Sequence, residues 1–215
     1  MLLRGRGSLK MKAYCERDRA YNKTMGLMNK QQYLSNNFLI AMPGMDGSDF
    51  SKSVTYLCQH DQEGALGLVV NKPHQSMTMG DIFKQLQISA LTPDVANIPL
   101  FQGGPVQQER GFVLHSPAGE WDSSMLINEQ MALTTSKDIL EAIAQDKGPD
   151  KWIVALGYAG WAAGQLEQEI QQNSWLHGLA DNDIIFEEAV ALRWELAGHR
   201  IGVDLSLMST ESGHC

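Results

Sequence analysis

No run in this chain approaches the roughly 18 consecutive apolar residues that a membrane-spanning helix needs, and the N-terminus lacks the apolar core of a secretory signal. The expected location is therefore the cytoplasm, with no membrane partner. Cysteine is scarce: Cys15, Cys58 and Cys215 are too few and too scattered for a disulfide framework or a paired-cysteine metal site, which agrees with a reducing compartment. No metal and no cofactor is expected. Basic stripes are missing as well, and neither a helix-turn-helix pattern, a zinc finger nor an aromatic RNA-binding motif can be found. Duplex binding draws most of its affinity from Lys and Arg on phosphate, so direct nucleic-acid contact is disfavoured.

What is present describes a globular chain. Its 215 residues, 43% hydrophobic and 20% charged, suffice for one large core. Charge divides at Met28. Residues 1–27 hold seven Lys and Arg against two acids, a net of +5, and the remainder holds ten against 23, a net of −13. The leader has no sustained apolar period and reads as a disordered basic extension, with a nucleic-acid-touching arm as its functional alternative. Residues 28–215 read as a single domain.

From Phe38 onward, short β-rich runs alternate with helical stretches. The expected strands are "FLIAM" (38–42), "SVTYLCQH" (53–60), "LGLVVN" (66–71), "PLFQ" (99–102), "GFVLHS" (111–116), "SSMLIN" (123–128) and "KWIVALGY" (151–158). Thr78 with Asp81, and Thr135 with Asp138, predict capping-box starts for two helices. Further helices are expected over "GQLEQEIQQN" and "EEAVALRWEL". Strands in succession favour hairpins, hence a mixed α/β or α+β sheet that is largely antiparallel.

Four segments could carry chemistry. In "FQGGPVQQERGFVLHS" (101–116) the glycine spacing matches neither a P-loop nor a dinucleotide fingerprint, so Gly103 and Gly104 read first as a turn. The alternative is an anion cradle, with Arg110 facing an anion bound over the two glycine amides. "GYAGWAAGQLEQEI" (157–170) reads as a strand, then a loop holding Gly157, Gly160 and Trp161, then a helix start that could attract an anion. Cys58 and His60, two apart on a strand, would share a face and could form a reactive thiol pair, which His115 could join. In "NKPHQ" (71–75), Asn71 and Lys72 leave a strand end, where open sheets place ligand-binding side chains.

Taken together, "FLIAMPGMDGSDFSKSVTYLCQHDQEGALGLVVNKP" (38–73), the double-glycine stretch and "GYAGWAAGQLEQEIQQNSWL" (157–176) resemble the AlgH/YqgE family of bacterial proteins. The resemblance covers the chain from about Met28 to Leu207. It implies a compact α/β domain with a bifurcated sheet rolled into a pseudo-barrel and flanked by helices. It implies motif positions at Pro43, Cys58, His60, Asn71, Lys72, Pro73, Gly103, Gly104, Pro105, Arg110, His115, Gly157, Trp161, Gly164 and Gln165, none with an assigned catalytic role. The family carries a transcriptional-regulator label, so the first expectation is a regulator that works through a protein partner rather than on DNA. The second is a protein or thiol enzyme that binds a small anionic ligand, a nucleotide or phosphometabolite, in a Cys/His/Arg cleft.

Overall fold

Alternation along "NFLIA" sets the plan of the fold. Strand β1 (Asn37–Ala41) sends Phe38 and Ile40 into one apolar cluster and Leu39 and Ala41 into another, and all four are buried. A sheet whose strands bury both faces must be covered on both sides. The computed structural model describes residues 33–45 and 47–208; the basic leader lies outside them. From Leu34 the described chain forms one compact unit.

Among the described residues nine further strands follow β1: β2 (Val54–Asp61), β3 (Gly64–Val69), β4 (Pro73–Thr78), β5 (Pro99–Gln102), β6 (Val106–Ser116), β7 (Ser124–Leu126), β8 (Ala132–Thr134), β9 (Lys151–Ala162) and β10 (Trp175–Leu179). The α-helices among the described residues are α1 (Met79–Gln85), α2 (Pro93–Ala96), α3 (Lys137–Ala144), α4 (Gln165–Gln171), α5 (Asn182–Phe186) and α6 (Arg193–Arg200). The strands make one sheet in the order β10-β1-β2-β3-β9-β6-β8-β7, curled into a half-barrel. All pairs are antiparallel except β5 with β9.

The sheet forks at Gly157. On one side of β9, Phe101 and Gln102 of β5 pair with Ala155 and Leu156, while β3 takes over from Ala159 to Ala162. The branch β5–β4 and the main path through β3 therefore diverge from one strand. Gly157 has φ +70°, and a Cβ there would stand 2.5 Å from the carbonyl oxygen of Gly104. Only glycine allows this backbone-on-backbone approach.

Three apolar clusters fill the layers. Met79, Ile82 and Phe83 of α1 and Ile139, Leu140 and Ile143 of α3 pack on Leu100, Val113 and Val154. Inside the curl, Phe38, Tyr56, Phe112 and Leu114 meet Ile184 and Ile185 of α5 and Trp194 of α6. Leu166 of α4 covers Leu39, Leu57 and Trp161.

Several expectations need correction. The "GFVLHS" strand starts five residues earlier, at Val106, and "KWIVALGY" runs on to Ala162, so Gly157 and Gly160 sit inside a strand rather than in a loop. The Thr78–Asp81 capping box forms. The cap of α3 is Ser136 and not Thr135; the Ser136 hydroxyl donates to Asp138 (2.5 Å), whose carboxylate also accepts from the Ile139 amide. The last expected helix begins at Arg193, after a 3₁₀ turn over Val190–Leu192. Strands β4, β8 and β10 and helices α2 and α5 are not among the sequence expectations. β4 opens on a proline and pairs only with β5, β8 spans three residues and β10 carries an internal glycine, so none shows a clear strand signature.

Candidate functional site: the cleft in the sheet fork

Strands β3 and β5 both end at the fork, and a cleft of about 540 Å³ opens there. Crevices beyond the C-terminal ends of diverging strands are where sheets present side chains and loop backbone to ligands. Val69 and Leu156 line it with apolar surface, beside Gly104 and Pro105 and beside Ser48, Asp49 and Phe50 of the β1–β2 loop. Lys72 and His74 reach in from the start of β4.

The double glycine stitches the fork together. The Gly103 amide donates to Leu156 O (2.8 Å) and its carbonyl accepts from the Val69 amide (2.9 Å), joining β5 to both β9 and β3. The expected open cradle over both amides is thus corrected: that of Gly103 is committed, and Gly104 alone of the pair lines the cleft.

Lys72 is half-buried, and its Nζ donates to the Asp49 carbonyl at 2.5 Å. Desolvation holds its ammonium below the usual lysine range, partly offset by the Asp49 charge. His74 is fixed in one tautomer. Its Nδ1 faces the amides of Ser76 (3.3 Å) and Met77 (3.1 Å), both donors, so the ring proton sits on Nε2. The site thus offers an ammonium and an imidazole N–H, with Phe50, Met77 and Leu156 as apolar surface.

The remaining predicted residues do not converge on it. Asn71 is a structural clamp, its Oδ1 accepting from the Val54 amide (2.7 Å) and its Nδ2 donating to Lys52 O (2.9 Å). Arg110 lies in a separate groove, donating to Thr135 (3.3 Å) with its guanidinium over the Phe112 ring. Gly160 and Trp161 line another hollow, and the Trp161 indole donates to Glu169 (2.8 Å), as does Trp175.

Cys58 and His60 part company at a β-bulge. The register of β2 against β3 shifts between Leu57 and Gln59. Cys58 stays in the inner core with Tyr56, whereas His60 turns toward Leu34, a member of the cluster that holds Leu57. The Leu34 amide donates to His60 Nδ1 (2.9 Å), and Nε2 donates to Glu167 (3.1 Å). Cys58 is 3% exposed, and burial pushes its thiol far above the ordinary range, so a poised thiolate has no support here. His115 is fully buried on β6, away from both.

The sequence reading missed His74, Phe50 and Asp49. His74 stands inside the quoted "NKPHQ", one residue past the proline that drew attention to Lys72. Arg193 was missed too, although it is the lone cation in "AVALRWEL". It is 4% exposed, donates to Val70 O (2.6 Å) and Glu188 O (3.1 Å), and ties α6 to the end of β3.

Comparison with known proteins places this architecture. The family model described as AlgH-like matches residues 38–206. A UPF0301 protein of Methylococcus capsulatus is 47% identical over 188 residues, which is 87% of this chain and 100% of that one. A UPF0301 protein of Thioalkalivibrio sulfidiphilus is 51% identical over 187 residues, with 87% and 100% covered. The solution structure of the AlgH protein from Pseudomonas aeruginosa superposes with a TM-score of 0.71 at 43% identity, over 87% of this chain and 99% of that one. The chain belongs to the AlgH-like, or UPF0301, family of bacterial proteins.

Proposed function

We propose that the protein is a small-molecule receptor whose fork cleft holds a ligand with one acidic group and an apolar body. The observation that carries this reading is the presence of Lys72 and the His74 imidazole among apolar lining residues in a cleft of about 540 Å³, within the size range of ligand sites. Asp49, which also lines the cleft and whose charge acts on Lys72, sets the charge limit. One ammonium beside one carboxylate suits a single carboxylate or phosphate monoester better than a polyphosphate. Phe50, Met77 and Leu156 supply the surface for the rest of the ligand.

A thermal-shift screen of the full chain against phenyl phosphate, nucleoside monophosphates and short-chain carboxylates tests it. Ligand at a hundred times its dissociation constant stabilises by about 2.7 kcal/mol. The shift is expected in the parent and in Arg110→Ala and is lost in Lys72→Ala. A shift that survives Lys72→Ala and vanishes in Arg110→Ala moves the site to the other groove and overturns the assignment.

Action through a protein partner is the second reading. Its support is that the two ends of the sheet path, β7 and β10, expose Leu126 (67%) and Leu179 (61%). Direct DNA contact has no such support, given a net charge of −13 from Met28 onward. Among the described residues no helix is long and apolar enough to cross a membrane.

A further inference from the structure

The strap between α1 and β5 carries a helix with no fully buried residue. In "SALTPDVANI" (89–98), Thr92 and Pro93 supply an N-cap and a first-turn proline, and α2 forms over four residues. A helix this short is not stable on its own, so the strap is held by the segments that flank it. The Leu91 amide donates to the Ala144 carbonyl (2.7 Å), the Gln145 side-chain amide donates to the Ser89 carbonyl (2.7 Å), and the Ile98 carbonyl accepts from the Met79 amide (2.9 Å). Between the strap, the end of α3 and the start of β9 opens a groove of about 530 Å³, lined with apolar surface by Leu91, Val95, Ile98, Ile143 and Trp152. Leu91 is 64% exposed and Ile98 38%. One exposed apolar side chain is ordinary, but two on the same apolar groove make a patch of the kind that binds.

Charge says what the patch fits. Asp94, Asp146 and Asp150 line the same groove, whereas no Lys or Arg does. Among the described residues, none of these three carboxylates has a hydrogen bond or an ion pair. Helix α3 ends at Ala144, in the lining of the groove, and adds the negative end of its dipole. Two cations stand next to the aspartates in sequence. Lys151 is held by Glu187 (2.8 Å) and Asp183 (3.6 Å), and Lys147 is exposed outside the lining, so three acids face at most one free cation. The net charge of −13 from Met28 onward acts in the same direction, drawing cations toward the domain. A second copy of the chain is a poor occupant, because a two-fold pairing of this face sets aspartates against aspartates.

We propose that this groove docks a basic segment of another protein, with an apolar side chain against Val95, Ile98 and Trp152 and neighbouring Lys or Arg side chains paired with Asp94, Asp146 and Asp150. The two kinds of contact divide the work. Exposed carboxylates gain little from a single ion pair in water, so affinity rests on the apolar anchor. The aspartates choose the partner and speed its approach, since an acidic segment of the same apolar content is repelled. A small organic cation satisfies the carboxylates and leaves the apolar lining uncovered, which is why a peptide segment fits better. The groove shares no residue with the fork cleft, and its test is independent of the ligand screen.

Fluorescence anisotropy of a labelled octapeptide of alternating arginine and leucine, titrated with the full chain, tests this. Two control peptides replace every arginine by glutamate or every leucine by glycine. Saturable binding is expected for the arginine–leucine peptide, with about tenfold weaker binding of the arginine–glycine peptide and none of the glutamate–leucine peptide. In the protein, Leu91→Gln and the triple variant Asp94→Asn, Asp146→Asn, Asp150→Asn should each weaken binding by about tenfold. Asparagine also suits the φ of +57° at Asp146, and matching thermal melts separate lost docking from a folding defect. Added salt should weaken binding to the parent and have little effect on the triple variant. Leu126→Gln, on β7, should change nothing. No binding, or equal binding of the arginine–glycine peptide, overturns the proposal, the latter leaving only a general attraction to an acidic protein. Binding that survives Leu91→Gln and the triple variant but is lost in Leu126→Gln overturns it too and moves the interface to the sheet edge.

Discussion

At the scale of single residues, environment rather than type decides what each candidate can do. Cys58 has the chemistry of a nucleophile and the surroundings of a core residue. In the folded protein it is expected to stay unmodified by iodoacetamide at neutral pH, over a time in which the unfolded chain is fully alkylated. Peptide mass spectrometry of the Cys58 fragment reads this, and equal modification in both states would contradict the buried placement. His115 makes a signed prediction. Burial lowers its folded pKa, whereas the unfolded chain titrates near about 6.5. As pH falls through that value the unfolded state takes up a proton that the folded state refuses, so stability falls with acid. Above it the group contributes no slope. Urea midpoints at about pH 7.5 and about pH 5 should drop less in His115→Gln than in the parent; an identical drop would mean that other groups carry the acid sensitivity.

At the scale of elements, the glycines of the fork act in structure before they act in chemistry. Gly157→Ala brings a methyl group against the Gly104 carbonyl at a φ of +70°, and overpacking together with this backbone strain should cost about 3 kcal/mol. Gly111→Ala, whose Cβ meets nothing within 4 Å, should cost far less. Chemical denaturation of both variants checks the contrast, and comparable losses would place the crowding elsewhere. Much of this level was legible in the sequence. Alternation and turn residues marked β1, β2, β3, β5 and the core of β6 and β9, because there the residue pattern and the burial coincide. The bulge after Leu57 was not legible, since an inserted residue leaves no mark on composition while it reverses the face of everything beyond it. That one irregularity turned a predicted Cys58–His60 pair into two unrelated contacts. Ser136 replaced Thr135 as a cap for a similar reason: both residues can cap, and the Asp138 contact that chooses between them is three-dimensional.

For the whole molecule, the bifurcated sheet implied by the family resemblance is present, and its bifurcation is where the cleft opens. Sequence motifs pointed to that place through Lys72, Gly103 and Gly104, yet attached the wrong cation to it, because Arg110 is near the glycines in sequence and faces another groove in space. The acidic balance of the chain makes a ligand of low charge the more physical match for a cleft with one ammonium and one carboxylate. The most direct test of this account is an amide chemical-shift titration of the ¹⁵N-labelled protein with phenyl phosphate. The account predicts saturable shifts at Val69, Lys72, His74, Gly104 and Gln108, with the amides of Ser124 and Arg110 unmoved. Shifts scattered over the surface, confined to the Arg110 groove or absent altogether would contradict it.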